Sequence, residues 1–191
     1  MSNLSLSDFS SFTLFPGQHW SHTWERQHEL VTRFAKLLEG KVISVCSPLG
    51  LINHNPFSLN FFQKIRTYNK LQVEIINQNP ILDNMKMCNL RHIPFHLSMI
   101  GKINYALMKH GMGMTNNNFF WSTYMNPTIY EFFKRSSFKI YDIAERRSTN
   151  PLLNEKIRAW ERKAVREADL VIVDNHVTME DYRNLNPRSK S

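Results

Sequence analysis

Short apolar runs alternate along this chain with longer stretches of helical periodicity, a pattern that predicts a parallel sheet covered by helices. The first run, Phe12–Phe15, ends at the turn pair Pro16-Gly17. From Trp24 to Leu38, the residues Leu30, Val31, Phe34, Ala35 and Leu38 fall on one helical face, and Gly40 supplies a stop. Lys41–Cys46 reads as a buried strand, and Leu71–Ile76 as another beyond a turn-rich segment. Pro94–Met108 predicts a helix with Phe95, Met99, Ile103, Ala106 and Leu107 aligned, weakened by Gly101. The aromatic run Asn118–Tyr124 predicts a strand, and Asn126-Pro127 opens a short helix through Phe133.

The last third is the most regular. Phe138–Asp142 predicts a strand. Asn150-Pro151 starts a helix whose apolar stripe is Leu153, Ile157, Trp160, Ala164 and Ala168. Asp169–Asp174 reads as a fully buried strand, and Thr178 with Asp181 as a capping box for a last helix ending near Leu185. Together these elements predict an α/β Rossmann-like fold, a doubly wound, mostly parallel sheet of six to seven strands with helices on both faces. Residues 1–11 read as a tail, 12–187 as the domain and 188–191 as the start of a linker.

Composition narrows the class. In 191 residues, 42% hydrophobic and 12% aromatic content excludes a disordered chain. Two cysteines, Cys46 and Cys88, exclude a disulfide scaffold, and no CxxC pair suggests zinc or redox chemistry. The first dozen residues lack the charged start and apolar run of an export signal, and no run approaches the ~18 apolar residues of a membrane span. These features predict a reduced, cytoplasmic protein that meets a membrane only from its side.

The net charge of +8 is unevenly placed. Residues 141–191 carry ten basic and nine acidic side chains, so the excess lies before them. Between Asp83 and Glu131 no acid occurs, while Lys86, Arg91, Lys102 and Lys109 do, among seven of the nine Met residues. Cations interleaved with Met, Phe and Tyr suit an anionic membrane surface that also accepts apolar area. They equally suit a solvated face over a Met-rich core. No zinc-finger spacing, RNP-like pattern or basic leucine-zipper region points to nucleic acid.

Sites in doubly wound sheets form beyond the carboxyl ends of the strands, which directs attention to the loops there. The loop after the first strand gathers His19, Trp20, His22, Trp24, Arg26, Gln27 and His28. It carries no GxGxxG or GxxxxGK[ST] phosphate cradle. Tryptophan faces stack on sugar rings, while Arg26, Gln27 and His28 offer hydrogen bonds at a helix start. The histidines could alternatively hold a metal with an acid from elsewhere, or simply pack on the surface. After the fifth strand, Asp142 and Glu145 stand three residues apart, followed by Arg146 and Arg147. Such carboxylates serve as acid, base or hydroxyl acceptor, and the arginines keep Glu145 ionised or bind an anionic substrate group. A salt-bridged loop accounts for the same residues. No GxSxG elbow supports Ser/His/Asp catalysis.

Several segments in order carry a family resemblance: His19-Trp20, Trp24-Glu-Arg-Gln-His-Glu-Leu30, Lys41-Val-Ile-Ser-Val45, Phe119-Phe-Trp-Ser-Thr-Tyr-Met-Asn-Pro127, Lys139-Ile-Tyr-Asp-Ile-Ala-Glu145, and Glu161 through Asn175. From about His19 to Pro187 the chain resembles the N-terminal half of two-Rossmann-domain (GT-B) glycosyltransferases of the bacterial exopolysaccharide and teichuronic-acid type. The resemblance implies an acceptor-binding domain that works with a C-terminal nucleotide-sugar domain across a cleft. The family's tyrosine-aspartate-x-x-acid motif maps onto Tyr141, Asp142 and Glu145, with Glu145 where Asp is frequent. Its tryptophan-x-arginine motif maps onto Trp24, Arg26, Gln27 and His28, with Gln27 where Pro is common. Asp174-Asn175 stand where relatives carry Ser or Thr.

The implied reaction transfers a sugar from a nucleotide-sugar donor to a lipid-linked or polysaccharide acceptor at the inner membrane face. Glu145, ahead of Asp142, would assist the acceptor hydroxyl. The loop around Trp20, with His19, Trp24, Arg26, Gln27, His28 and Arg146, would hold the acceptor. The donor is a substrate, no separate cofactor or metal is implied, and the partners are the acceptor, an anionic membrane and a separate donor-binding domain. The chain ends where the linker to that domain would begin, so the expectation is an acceptor domain that does not transfer sugar alone. A non-catalytic glycan- or partner-binding module is the alternative.

Overall fold

The computed structural model describes residues 5–16, 26–46, 82–88, 92–93, 97–143, 155–173 and 176–186. Six strands form one sheet: β1 (Ser11–Phe15), β2 (Ile43–Cys46), β3 (Met85–Cys88), β4 (Asn118–Ser122), β5 (Phe138–Ile143) and β6 (Leu170–Val173). Every pairing is parallel, and the order is β3-β2-β1-β4-β5-β6. The α-helices among the described residues are α1 (Arg26–Leu37), α2 (Ser98–Met108), α3 (Pro127–Phe133), α4 (Glu155–Glu167) and α5 (His176–Arg183). This is the expected Rossmann-like α/β architecture, with helices on both faces.

Strand alternation sorts the core into two layers. On one face Phe12, Leu14, Ile43, Val45, Phe119 and Trp121 pack against Val31, Ala35 and Leu38 of the α1 segment. Each such fully buried side chain stabilises the fold by roughly 1.5–3 kcal/mol relative to exposure. Gly40, at φ +80°, ends this segment in the left-handed conformation the sequence calls for. On the other face Phe15, Phe120, Tyr141 and Ile143 meet Met108, Ile129, Phe132, Phe133, Ala164 and Val165, contributed by α2, α3 and α4. As predicted, Asn126 caps α3: its Oδ1 accepts the Ile129 N–H at 2.9 Å, with Pro127 at the first helical position.

Several expectations are corrected. The residues read as a tail contribute to the fold, since Phe9 is buried between Phe12, Phe119 and Phe138, and Ser11 already lies in β1. The predicted strand Leu71–Ile76 lies outside the described residues, whereas β3 forms from Met85-Lys-Met-Cys88, a run with no β-branched residue. Strand β6 is half-buried throughout because it closes the sheet edge and pairs on one side only. Helix α5 begins at His176, so Thr178 falls inside it rather than capping it.

The largest correction concerns α2. Its aligned apolar residues Met99, Ile103, Ala106 and Leu107 are exposed, while Gly101, Asn104 and Met108 face inward. Two contacts set that rotation. A Cβ on Gly101 would stand 2.4 Å from the Pro127 carbonyl oxygen, so only glycine lets α2 approach α3 this closely. Asn104, fully buried, accepts the Ile93 N–H at 2.9 Å and donates to the Ile93 carbonyl and Thr128 Oγ1, each at 2.9 Å. A buried amide must keep these bonds, and turning the helix outward-in would break all three.

Gly101→Ala is therefore expected to destabilise the fold by about 1–3 kcal/mol through overpacking. Gly111→Ala, whose new Cβ would meet Met108 O at an ordinary 3.5 Å, is expected to change stability far less. Urea denaturation of the two variants beside the parent makes the comparison; equal midpoints would contradict the close-approach argument.

Candidate functional site at the carboxyl edge of the sheet

A strand order of 3-2-1-4-5-6 reverses direction between β1 and β4, and the crevice of such a sheet opens beyond their carboxyl ends. The seam there is tightly bonded. The Thr123 N–H donates to the Phe15 carbonyl at 3.1 Å, and Ser122 Oγ donates to the Tyr124 carbonyl at 2.6 Å. Every residue from Asn118 to Phe133 is buried, so the β4–α3 connection forms a rigid floor.

Of the expected acceptor-binding residues, His19, Trp20, Trp24 and Arg146 lie outside the described residues, as does Glu145. Arg26 opens α1, and Gln27 and His28 are buried in its first turn. Because α1 leads from the end of β1 to the start of β2, that first turn sits at the carboxyl edge. Asp142 is the next-to-last residue of β5 and is fully buried. Alternation puts Asp142 on the same face as Phe138 and Ile140, the face that α1 covers. The start of α1 and the end of β5, more than a hundred residues apart in sequence, thus share one face and one edge of the sheet. Gln27 Oε1, buried at that edge, has no hydrogen-bond partner among the described residues.

The tyrosine before Asp142 does structural work. Tyr141 points to the opposite face, where its hydroxyl donates to Glu161 Oε2 at 3.4 Å, and Tyr182 donates to the other oxygen of the same buried carboxylate. This links β5, α4 and α5. Glu161 interrupts an apolar helix face in the sequence, and that interruption is its only advance signal.

A second feature of the rim was not legible in the sequence. Cys46 and Cys88 are in register at the carboxyl ends of β2 and β3, both reduced and buried. The hydrogen bond from Cys46 lowers the Cys88 thiol from 9.0 to about 7 against the opposing effect of burial, with help from Ser44 and the Lys86 charge. Burial, reinforced by Cys88, pushes Cys46 well above the ordinary thiol value. The two neighbouring thiols are thus shifted in opposite directions, Cys88 down and Cys46 up.

Another concavity, of about 650 Å³, is bounded by Tyr105, Lys109, His110, Thr115, Asn116 and Arg135. These residues precede β4 and β5, so it opens at the amino edge, opposite to the crevice predicted by topology. Its Arg135 lies 4.3 Å from the Tyr105 ring centre and pairs with Glu131, which also binds Lys134 at 2.6 Å. The guanidinium is already paired with Glu131, and the cavity is assigned no ligand. Among the described residues, no three His, Cys, Asp or Glu side chains gather as a metal site.

Of the expected membrane-contact cations, Lys86 is held by the Gly111 carbonyl at 2.9 Å, Arg91 lies outside the described residues, and Lys102 is exposed on α2. Lys109 follows α2, its Nζ 5.9 Å from the Tyr105 ring centre. Comparison with family models, with curated proteins and with solved structures finds no match to this chain.

The thiol pair makes a pH prediction. A folded-state value below the unfolded one stabilises the protein above the unfolded value, and that contribution is lost as pH falls through about 7. Ultraviolet thiolate absorbance is expected to titrate with a midpoint near 7 in the parent, to vanish in that range in Cys88→Ser, and to move upward in Cys46→Ala. An unmoved midpoint in Cys46→Ala would show that Cys46 is not the donor.

Proposed function

We propose that this chain is the acceptor-side domain of a GT-B type glycosyltransferase, which transfers a sugar from a nucleotide-sugar donor to a lipid-linked or polysaccharide acceptor. One observation carries the reading. The two segments that hold the resembling motifs reach the same edge, and Arg26–His28 at the start of α1 and Asp142 at the end of β5 share one face there, beside the β1–β4 switch point. That is where open α/β sheets bind their ligands.

In this reading Glu145, two residues beyond β5, accepts the acceptor hydroxyl proton as the oxygen attacks the anomeric carbon and the bond from that carbon to the nucleotide's phosphate oxygen breaks, releasing the nucleotide, provided the reaction inverts that centre. Asp142 is too deeply buried to touch substrate and acts as a positioning residue beneath it. Trp20 and Trp24 stack on the acceptor sugar. The nucleotide-sugar is held mainly by a separate donor-binding domain.

The test supplies the chain with a nucleotide-sugar and a glycan acceptor, with and without an added donor-binding domain. Glycan binding without donor, and transfer only when that domain is added, are expected. Glu145→Gln is expected to cut transfer about 100-fold or more while leaving glycan binding near the parent level. Nucleotide-sugar binding by the chain alone, without glycan binding, would overturn the assignment. The burial of Gln27, His28 and Asp142 favours one second reading, a non-catalytic glycan-binding module. That reading predicts binding without transfer under every condition.

A further inference from the structure

Seven large apolar side chains are exposed among the described residues, and four of them, Leu97, Met99, Ile103 and Leu107, belong to α2 or its N-cap. Met99, Ile103 and Leu107 repeat every fourth residue and so form one stripe. They are 65%, 40% and 69% exposed, and Leu97 at the N-cap is 58% exposed. A stripe of this kind ordinarily turns into the core. Here Gly101 against Pro127 and the three Asn104 hydrogen bonds hold the opposite side inward, so the stripe is displayed by construction.

Charge selects the occupant. No acid occurs in the sequence between Asp83 and Glu131, and Glu131 is itself buried and paired with Lys134 and Arg135. Lys102 is exposed within the stripe's own helix, and Lys109 follows its last turn. A second copy of this chain would bring Lys102 against Lys102 with no acid on either stripe to offset them. An anionic bilayer supplies both what the apolar side chains and what the lysines require.

We propose that α2 docks this protein on anionic lipid, lying in the headgroup plane with Leu97, Met99, Ile103 and Leu107 inserted and Lys102 at the phosphate level. The helix, at 11 residues, is too short to span and is suited to lie flat. The apolar stripe is thus the anchor, and the basic side chains, first among the expected contacts, become its selectivity for negative charge. The inference does not depend on glycosyl transfer and holds equally for a chain that only binds glycan.

Cosedimentation of the chain with vesicles of phosphatidylcholine alone, and of phosphatidylcholine mixed with phosphatidylglycerol, tests the idea. Binding to the mixed vesicles that weakens with salt is expected. The pair Ile103→Glu and Leu107→Glu is expected to lose roughly tenfold or more of that affinity. Lys102→Glu is expected to lose about fivefold, on the mixed vesicles only. These side chains are exposed, so circular dichroism should match the parent. The milder pair Met99→Gln and Leu107→Gln, expected to weaken binding in the same direction, serves if the glutamates disturb folding. No binding to mixed vesicles, or equal binding by the variants, would overturn the proposal. A dimer that these substitutions dissolve would also overturn it, giving the stripe to a second copy.

Discussion

The parallel seam between β1 and β4 is the constraint on which the rest of this structure depends. Five residue pairs are in register from Ser11 with Asn118 to Phe15 with Ser122, and the two layers of the core are built outward from them. At its amino end Asn118, fully buried, accepts from Ser11 and Thr13 hydroxyls at 2.7 and 3.1 Å and donates to Ser136 Oγ at 3.0 Å. One side chain thereby joins β1, β4 and the turn entering β5. A one-residue slip would break these bonds and leave the polar groups buried without partners. At the carboxyl end the same seam creates the switch point, so register and switch point have one origin.

Close approach is the second organising effect. Aromatic side chains pack helices on the sheet, with Phe34 stacked on Phe119 at 5.2 Å and Phe133 edge-on to Phe120 at 5.8 Å. Between α2 and α3 one aromatic contact, Tyr105 against Phe132 at 4.8 Å, is joined by packing of another kind, a glycine against a carbonyl and a buried amide that bonds Thr128 of α3 and, twice, Ile93. A polar, small-residue interface permits a helix to keep its apolar side chains outside. The same interface that fastens α2 therefore leaves a sticky surface that calls for a partner.

The two edges of the sheet divide the polar chemistry. At the carboxyl edge lie the first turn of α1, the end of β5 and the thiol pair, all contributed by backbone that the seam aligns. The open cavity lies at the amino edge, where its strongest cation already pairs with Glu131. Volume and strand direction therefore point to opposite ends of the molecule. Strand direction, set by covalent connectivity and the handedness of crossovers, is the more reliable guide.

Periodicity in the sequence determined five of the six strands, α1, α3 and α4, the caps at Asn126 and Gly40, and the α/β class, because those segments obey local rules that tertiary contacts reinforce. It also directed attention to Asp142, Gln27 and His28. Their burial was not legible, since it depends on which residues of other elements cover the sheet. Strand β3 escaped notice because Met and Lys carry little strand preference, and its pairing with β2 supplies what the residues lack. The meeting of Cys46 with Cys88 and of Tyr141 with Glu161 follows from register and helix placement, which no local pattern encodes. Helix α2 states the division most clearly: spacing determined that it is an amphipathic helix, and only the contact of Gly101 with Pro127 and the bonds of Asn104 decided which face it shows to solvent.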